Sequence, residues 1–288
     1  DVASKAKQRV NSYVPTAGGG VVGIAGSVAV NILDSDTEAY IQDSSDITSL
    51  KSASADNPAV SVKAESDSQI KDLVASAAGG GLGVGAAVTV SKINGKTAAG
   101  IKADNTVTAN NGAVSILADN TRKINDLTIA AAAGSAALSG SVSVGVIGGN
   151  LDQDSVSSTQ DSQSIVDTEL GRNGNVTSET FGRGGLLDST AAGMSAFTSN
   201  TSSAFDTSAA ADKSTAGFIG ANSSVTGKDI TVNAKDTASM QIKAGGGAAG
   251  AASVAVGAAV AVASINNSSK AYIGENADIY ATDSLNID

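Results

Sequence analysis

The stretch Gly79–Val90 reads GGGLGVGAAVTV, and its composition decides against a helix. Its glycines each cost a helix roughly 1 kcal/mol relative to alanine, so together they would cost about 5 kcal/mol. Leu82, Val84, Val88 and Val90 instead share one parity along the chain, with glycine, alanine and threonine on the other. This two-residue period is typical of a β-strand.

The same alternation of large and small residues returns along the chain, which predicts strands that stack. The further copies are Ile24–Ile32, Leu138–Val146 and Val254–Val262. Stacked coils place equivalent side chains in ladders about 4.8 Å apart, so we expect the valines and isoleucines to point inward. The small residues of the opposite parity would then allow a second layer to approach closely.

Self-alignment of the chain reveals a repeat of about 55 residues, a period that is typical of solenoids. Val60–Ala64 returns as Val114–Ala118, then as Ile230–Ala234, and finally as Leu285–Asp288, at intervals of 54, 116 and 55 residues. A second block follows in each copy: Thr37–Ile41, Thr97–Ile101, Thr215–Ile219 and Lys270–Ile273. The repeat predicts an all-β fold built from stacked coils.

The length of one coil stays open at this point. Ala59–Val62 resembles Ala87–Val90 at a spacing of 28 residues, which favours two coils of about 27 residues per repeat. A single flattened coil of about 55 residues fits the same pattern. Short strands are predicted at Val60–Ala64, Ala98–Lys102 and Val107–Ala109. Turns are predicted, because Asn and Gly tolerate positive φ, at Ile93–Gly95, Asn110–Gly112 and Gly220–Asn222.

The interval of 116 residues contains an insertion of about 65 residues, Asn150–Ser214. We therefore divide the chain into solenoid repeats at 1–149, an inserted loop or subdomain at 150–214, and the same solenoid continued at 215–288. The insertion has nine acidic and three basic residues, and its apolar spacing predicts either a short helix or a solvated Ser/Thr-rich loop. Insertions often decorate the binding face of a solenoid. The predicted binding residues are Phe181, Leu187, Met194, Phe197 and Phe205.

Composition argues against several classes of function. The net charge is −10, and the 18 lysines and arginines are scattered, so nucleic acid is not expected as a partner. The chain has no His and no Cys, which removes Ser-His-Asp triads, Cys-His pairs and the usual zinc sites. The acidic pairs Asp34/Asp36 and Asp152/Asp154 are the remaining acid–base candidates, and solvated turn residues explain them better. We predict no catalytic residue, metal or cofactor.

The repeat pattern resembles a known family of bacterial exoproteins. Ala17–Gly20, Gly26–Asn31 and Thr37–Ile41 are similar to repeats of the large leukotoxin-like exoproteins related to filamentous haemagglutinin. The resemblance implies a right-handed parallel β-helix (β-solenoid), export by an outer-membrane partner of the two-partner type, and a secreted or cell-surface location. It also implies adhesion or toxicity toward host cells, through a host-cell receptor or glycan.

The leading functional hypothesis is a structural and adhesive shaft segment that acts in host-cell attachment. A membrane-active cytotoxin module is the first alternative, because Ala244–Ile265 is uncharged over 22 residues. A polysaccharide-acting β-helix enzyme is the second alternative. Since the end coils of a solenoid expose strand edges, we also predict end-to-end self-association at high concentration.

Overall fold

The computed structural model describes residues 1–42, 44–50, 58–148 and 214–288, and the regular elements in these ranges are all β-strands. The strands are β1 (Val2–Asp34), β2 (Thr37–Ile41), β3 (Asp46–Ser49), β4 (Val60–Asn94), β5 (Thr97–Ile101), β6 (Thr106–Ala109), β7 (Val114–Ile147), β8 (Thr215–Ile219), β9 (Ser224–Ile265), β10 (Ser269–Ile273) and β11 (Asp278–Ile287). Each paired strand runs parallel to its neighbour. The chain is an all-β parallel β-solenoid.

One repeat forms one coil. The long strands stack in the order β1, β4, β7, β9, and the short strands β2, β5, β8 and β10 form a separate four-stranded sheet. Val60 pairs with Val114, which pairs with Ile230, which pairs with Leu285, as the self-alignment requires. The reading of two coils of about 27 residues per repeat is wrong, because Val88 pairs with Val28 and Val142 and not with Val60.

Each long strand folds back on itself around a glycine-rich bend. In β4 the outgoing arm (60–79) reaches Gly80, and the return arm (82–94) then packs against the outgoing arms of the stack. Ile70 belongs to the same buried cluster as Ile93, and Val74 to the same cluster as Ala87. We call the paired arms the flap. This arrangement accounts for the resemblance of Ala59–Val62 to Ala87–Val90. The two arms of one copy face each other across the flap and do not stack as successive coils.

The small residues of the return arms face the second layer, as predicted, and the large residues lie on the opposite face, where Val90, Val144 and Val146 are buried. Gly83, Gly85, Ala87 and Thr89 face the outgoing arms, and a Cβ at Gly83 would lie 2.5 Å from the carbonyl oxygen of Ala133. At Gly83 and Gly85 the backbones are therefore too close to admit a side chain, whereas Ala87 and Thr89 are accommodated further along the arm. The large residues lie on the outer face of the flap, where they form a ladder of their own: Val88, Val90, Val142, Val144, Val146 and Val262.

The main apolar core lies outside the flap, where the first residues of each long strand meet the two short strands of the coil. Val62, Ile116 and Val232 form one ladder of fully buried side chains within it, and Ile101 and Ile219 form another. Each such side chain contributes roughly 1.5–3 kcal/mol by leaving water. This core fixes the position of the short-strand sheet.

Residues with positive φ turn the chain at the predicted corners. Asn111 has φ 55°, Gly95 has φ 148° and Asn222 has φ 54°. Asn222 belongs to a column with one positive-φ residue per coil, which also contains Ser44, Asp104 and Asn276. Asn and Asp tolerate this conformation better than most residues. The three turn predictions are confirmed. β6 contains the predicted strand Val107–Ala109, β5 matches the predicted strand Ala98–Lys102 except that it ends at Ile101, and β4 extends far beyond the predicted strand Val60–Ala64.

Candidate functional site

The predicted binding residues of the insertion lie outside the described residues. This applies to Phe181, Leu187, Met194, Phe197 and Phe205. The flanks of the insertion are described, and β8 pairs in register with β5. The backbone N–H of Gly148 donates to the carbonyl of Ile93, 2.9 Å away. In chain order the insertion therefore stands between β7 and β8, where the preceding coil has only the short connection from β4 to β5.

An aromatic strip runs along the outer face of the short-strand sheet, beside the root of the insertion. Tyr40, Gly100, Phe218 and Tyr272 are successive partners in the ladder β2, β5, β8, β10. The rings of Phe218 and Tyr272 stack at a centroid distance of 5.5 Å, with 12° between their planes. The rings of Tyr40 and Phe218 lie 5.7 Å apart at 51°.

Gly100 allows the strip to be continuous. Tyr40 and Phe218 are two rungs apart, a separation of about 9.6 Å between their backbones. Phe218 leans across Gly100 to reach Tyr40, and a Cβ at Gly100 would lie 2.7 Å from the Phe218 ring. A side chain at this position would push the two rings apart.

Charged groups surround one end of the strip. Lys96 Nζ lies 3.0 Å from Glu38 Oε1, and Lys102 Nζ lies 4.5 Å from the centroid of the Tyr40 ring. Burial raises the pKa of Tyr40, and the neighbouring Glu38 adds to this shift. The hydrogen bond to Glu38 raises the pKa of Lys96. The strip therefore presents the neutral phenol of Tyr40 beside the ammonium group of Lys96 at neutral pH.

The strip is suited to binding and not to acid–base chemistry. Ring stacking covers much of the ring faces, so the ring edges, the hydroxyl groups and the nearby charges are what a partner can contact. Tyr272 is 45% exposed. Among the described residues there is no group of three or more acidic side chains placed to hold a metal ion.

A buried ion pair anchors the root of the insertion. Arg122 Nη2 donates to Asp236 Oδ2 at 2.5 Å and to Asn267 Oδ1 at 2.9 Å, and the two charged side chains are 1% and 2% exposed. Thr215, the first residue of β8, donates its hydroxyl to the same Asp236 oxygen at 3.1 Å. This ion pair ties the re-entry point of the chain to two coils of the solenoid.

The acidic pairs that sequence reasoning considered for catalysis are not brought together into a described site. Asp36 Oδ1 accepts a hydrogen bond from the backbone N–H of Lys96 at 2.8 Å, which is a turn contact between coils. Asp152 and Asp154 lie outside the described residues. Within the described ranges, no helix is long and apolar enough to cross a membrane.

Comparison with known proteins leaves the fold as the basis for classification. No protein-family model, curated protein or solved structure matches the chain. The pairing of the strands defines the class, a parallel β-solenoid with a two-layered flap.

Sequence reasoning missed the aromatic strip, although the signal was present. The repeat block aligns Tyr40, Gly100, Phe218 and Tyr272 at one position, and this alignment indicates a column of aromatic residues as well as the period. An exposed position that carries an aromatic residue in three of four copies is a candidate contact surface.

Proposed function

We propose that the chain is a segment of the shaft of a secreted bacterial surface protein and that it acts in attachment to host cells. The observation that carries this proposal is the continuous pairing of coils, in which each coil offers the next an in-register edge of more than thirty paired residues. Such a structure grows in one dimension by the addition of coils. It is suited to holding a binding surface away from the cell.

The aromatic strip and the adjacent insertion are the proposed contact surface. Tyrosine and phenylalanine provide large contact areas at low cost in side-chain entropy, and aromatic residues are enriched in binding hot spots. The strip and the insertion are neighbours along the chain, because β8, which carries Phe218, begins directly after the insertion. The partner is a host-cell receptor or glycan, and an outer-membrane protein of the two-partner type is the proposed exporter.

Cell binding tests the adhesive half of the proposal. The variant Tyr40→Ala/Phe218→Ala/Tyr272→Ala is compared with Tyr13→Ala, which removes an exposed tyrosine from the flap. We expect the triple variant to lose at least tenfold in binding to cultured host cells and the control to retain its binding. Equal binding by the two variants, with unchanged circular dichroism, would show that the strip is not the adhesive surface.

Duplication of coils tests the structural part of the proposal, that the chain is a segment of a shaft. Residues 60–113 make one complete coil, and ten extra copies should lengthen the particle by about 48 Å at one rung per coil. Small-angle scattering measures the longest dimension of both chains. An increase in width without an increase in length would contradict the role as a shaft.

The outer face of the flap favours a second candidate function, a membrane-active module. Ile24 is 58% exposed and Val21 is 87% exposed, so the apolar residues near the bend of β1 are available to a lipid surface. Leakage of a dye from liposomes tests this candidate. Replacement of Val21 and Ile24 by Ser should abolish leakage if the flap inserts into the bilayer, and absence of leakage by the unmodified chain would eliminate this function.

A further inference from the structure

Two aspartates face the interior of the flap on adjacent rungs. Asp72 lies in the outgoing arm of β4, and Asp126 is its ladder partner in β7. They are 2% and 3% exposed. Adjacent rungs of a sheet are about 4.8 Å apart, so two buried carboxyl groups stand close together in a site with little access to water.

The two carboxyl groups have unequal hydrogen-bonding partners. Asp72 Oδ2 accepts from Asn31 Nδ2 at 2.8 Å and from Ser91 Oγ at 2.8 Å, and Asp72 also interacts with the backbone of Ser12. Ser91 lies near both aspartates, but its one hydroxyl proton is directed to Asp72. Within the described part of the chain, Asp72 Oδ1 and both oxygens of Asp126 have no hydrogen-bond partner. The hydrogen bonds that Asp72 accepts therefore favour its charged carboxylate form, and Asp126 accepts no such hydrogen bonds from the described residues.

No cation faces the pair from the described strands around it. The neighbours that point into the flap are Ser12 and Asn31 on β1, Ser91 on β4, Gly145 on β7 and Ile242 on β9. Lys71 and Lys92 have the opposite parity and belong to the outer faces.

Arg122 is the closest inward-facing cation along β7, four residues from Asp126. Its guanidinium is bonded to Asp236 and Asn267. Two buried carboxylates without a counter-ion are strongly disfavoured.

We propose that Asp72 and Asp126 hold one proton between them, with Asp126 as the neutral acid that donates to Asp72 Oδ1 and Asp72 as the carboxylate. One proton removes one of the two like charges and joins Asp72 Oδ1 to one of the two unpartnered oxygens of Asp126 through a hydrogen bond. This arrangement parallels other carboxyl pairs in which two close carboxyl groups share a proton. It makes the interior of the flap sensitive to pH.

The direction of the pH effect follows from the two groups. Burial raises the pKa of Asp126 to about 7; the neighbouring Ser91 hydroxyl opposes this shift and the charge of Asp72 contributes to it. Burial also raises the pKa of Asp72, although Asn31 and Ser91 oppose this shift. A group whose pKa is higher in the folded state favours folding in acid, and this contribution is lost as the pH rises through the folded value. The pair therefore stabilises the flap fully in acid, and this stabilisation is lost progressively between about pH 4 and about pH 7.

Comparing the stability of Asp126→Asn with that of the unmodified chain isolates the contribution of the shared proton to the free energy of unfolding. Asparagine keeps a donor for Asp72 and cannot titrate. Between the ordinary aspartate pKa of about 4 and about 7, the unfolding constant of the unmodified chain should rise about tenfold per pH unit relative to that of Asp126→Asn. Asp119→Asn, on an outer face of the same strand, is the control and should follow the unmodified chain. Parallel pH profiles for the unmodified chain and Asp126→Asn would refute the proposal.

Infrared spectroscopy of the unmodified folded chain gives a readout that requires no variant to fold. With ¹³C-labelled aspartate, the carbonyl stretch of one protonated acid should persist at pH 6 and disappear above about pH 7. The same rung spacing would also admit a hard cation with oxygen ligands. Absence of the acid band at pH 6, together with a rise in melting temperature on adding Ca²⁺ at pH 8, would overturn the shared proton in favour of a cation site.

Discussion

Gly85→Ala tests how closely the two layers of the flap approach each other. A Cβ at Gly85 would lie 2.5 Å from the carbonyl oxygen of Ala131 and 3.3 Å from its carbonyl carbon. Ala131 is held in the ladder on both sides, by Ala77 and by Gly247, so its carbonyl cannot swing away. The arms must separate to admit one methyl group.

The expected cost follows from this overlap. Overpacking of a well-ordered interior typically costs about 1–3 kcal/mol. The matched control is Gly79→Ala in the same strand, where a Cβ would have no atom within 4 Å. Both substitutions remove a glycine from a strand, which by itself stabilises by about 0.5–1 kcal/mol. That gain cancels in the comparison, and Gly85→Ala should be about 1–3 kcal/mol less stable than Gly79→Ala.

Urea unfolding followed by circular dichroism measures the difference. The midpoint of Gly79→Ala should equal or exceed that of the unmodified chain, and the midpoint of Gly85→Ala should fall. Equal midpoints for the two variants would mean that the layers are further apart than the structure has them.

Four further substitutions probe other contacts in the same assay. Arg122→Met leaves Asp236 buried without its partner and should cost about 3–5 kcal/mol, and adding Asp236→Leu should recover most of that loss. Ile116→Ala removes a fully buried rung of the main core and should cost about 2–5 kcal/mol; a loss below 1 kcal/mol would contradict its burial. Lys5→Gln breaks an exposed ion pair with Glu65 and should change the free energy of unfolding by less than about 1 kcal/mol.

The period of the solenoid could be predicted from the sequence because ladder partners in successive coils are residues of similar type that recur at regular intervals. Every rung that joins Val60, Val114, Ile230 and Leu285 is visible as a self-match. The turns were also predictable, since the need for positive φ selects Asn and Gly at Asn111 and Gly95. These features depend on local backbone geometry and on repetition.

The layer against which the return arms pack could not be predicted in the same way. Alternation identifies two faces of a strand but not which face is interior. The usual rule places Val84 and Val88 inside, but here the distance between backbones decides, and only small residues such as Gly83 and Gly85 fit between the arms. Asp72 and Asp126 were missed for a related reason, because a buried carboxyl pair requires knowledge of which strands are neighbours.

The spacing of ladder partners also determines how such a chain acquires its structure. Partners on adjacent rungs of β4 and β7 are 54 residues apart, so the first rung requires closure of a loop that costs about 3.5 kcal/mol in chain entropy. After one coil has formed, its edge is a template, and each later coil adds to an existing surface. Folding then proceeds from that coil toward the end of the chain, one coil at a time. If such a chain passed end-first through a pore, each completed coil would oppose backward movement of the chain, because the folded coil would have to unfold before it could re-enter the pore.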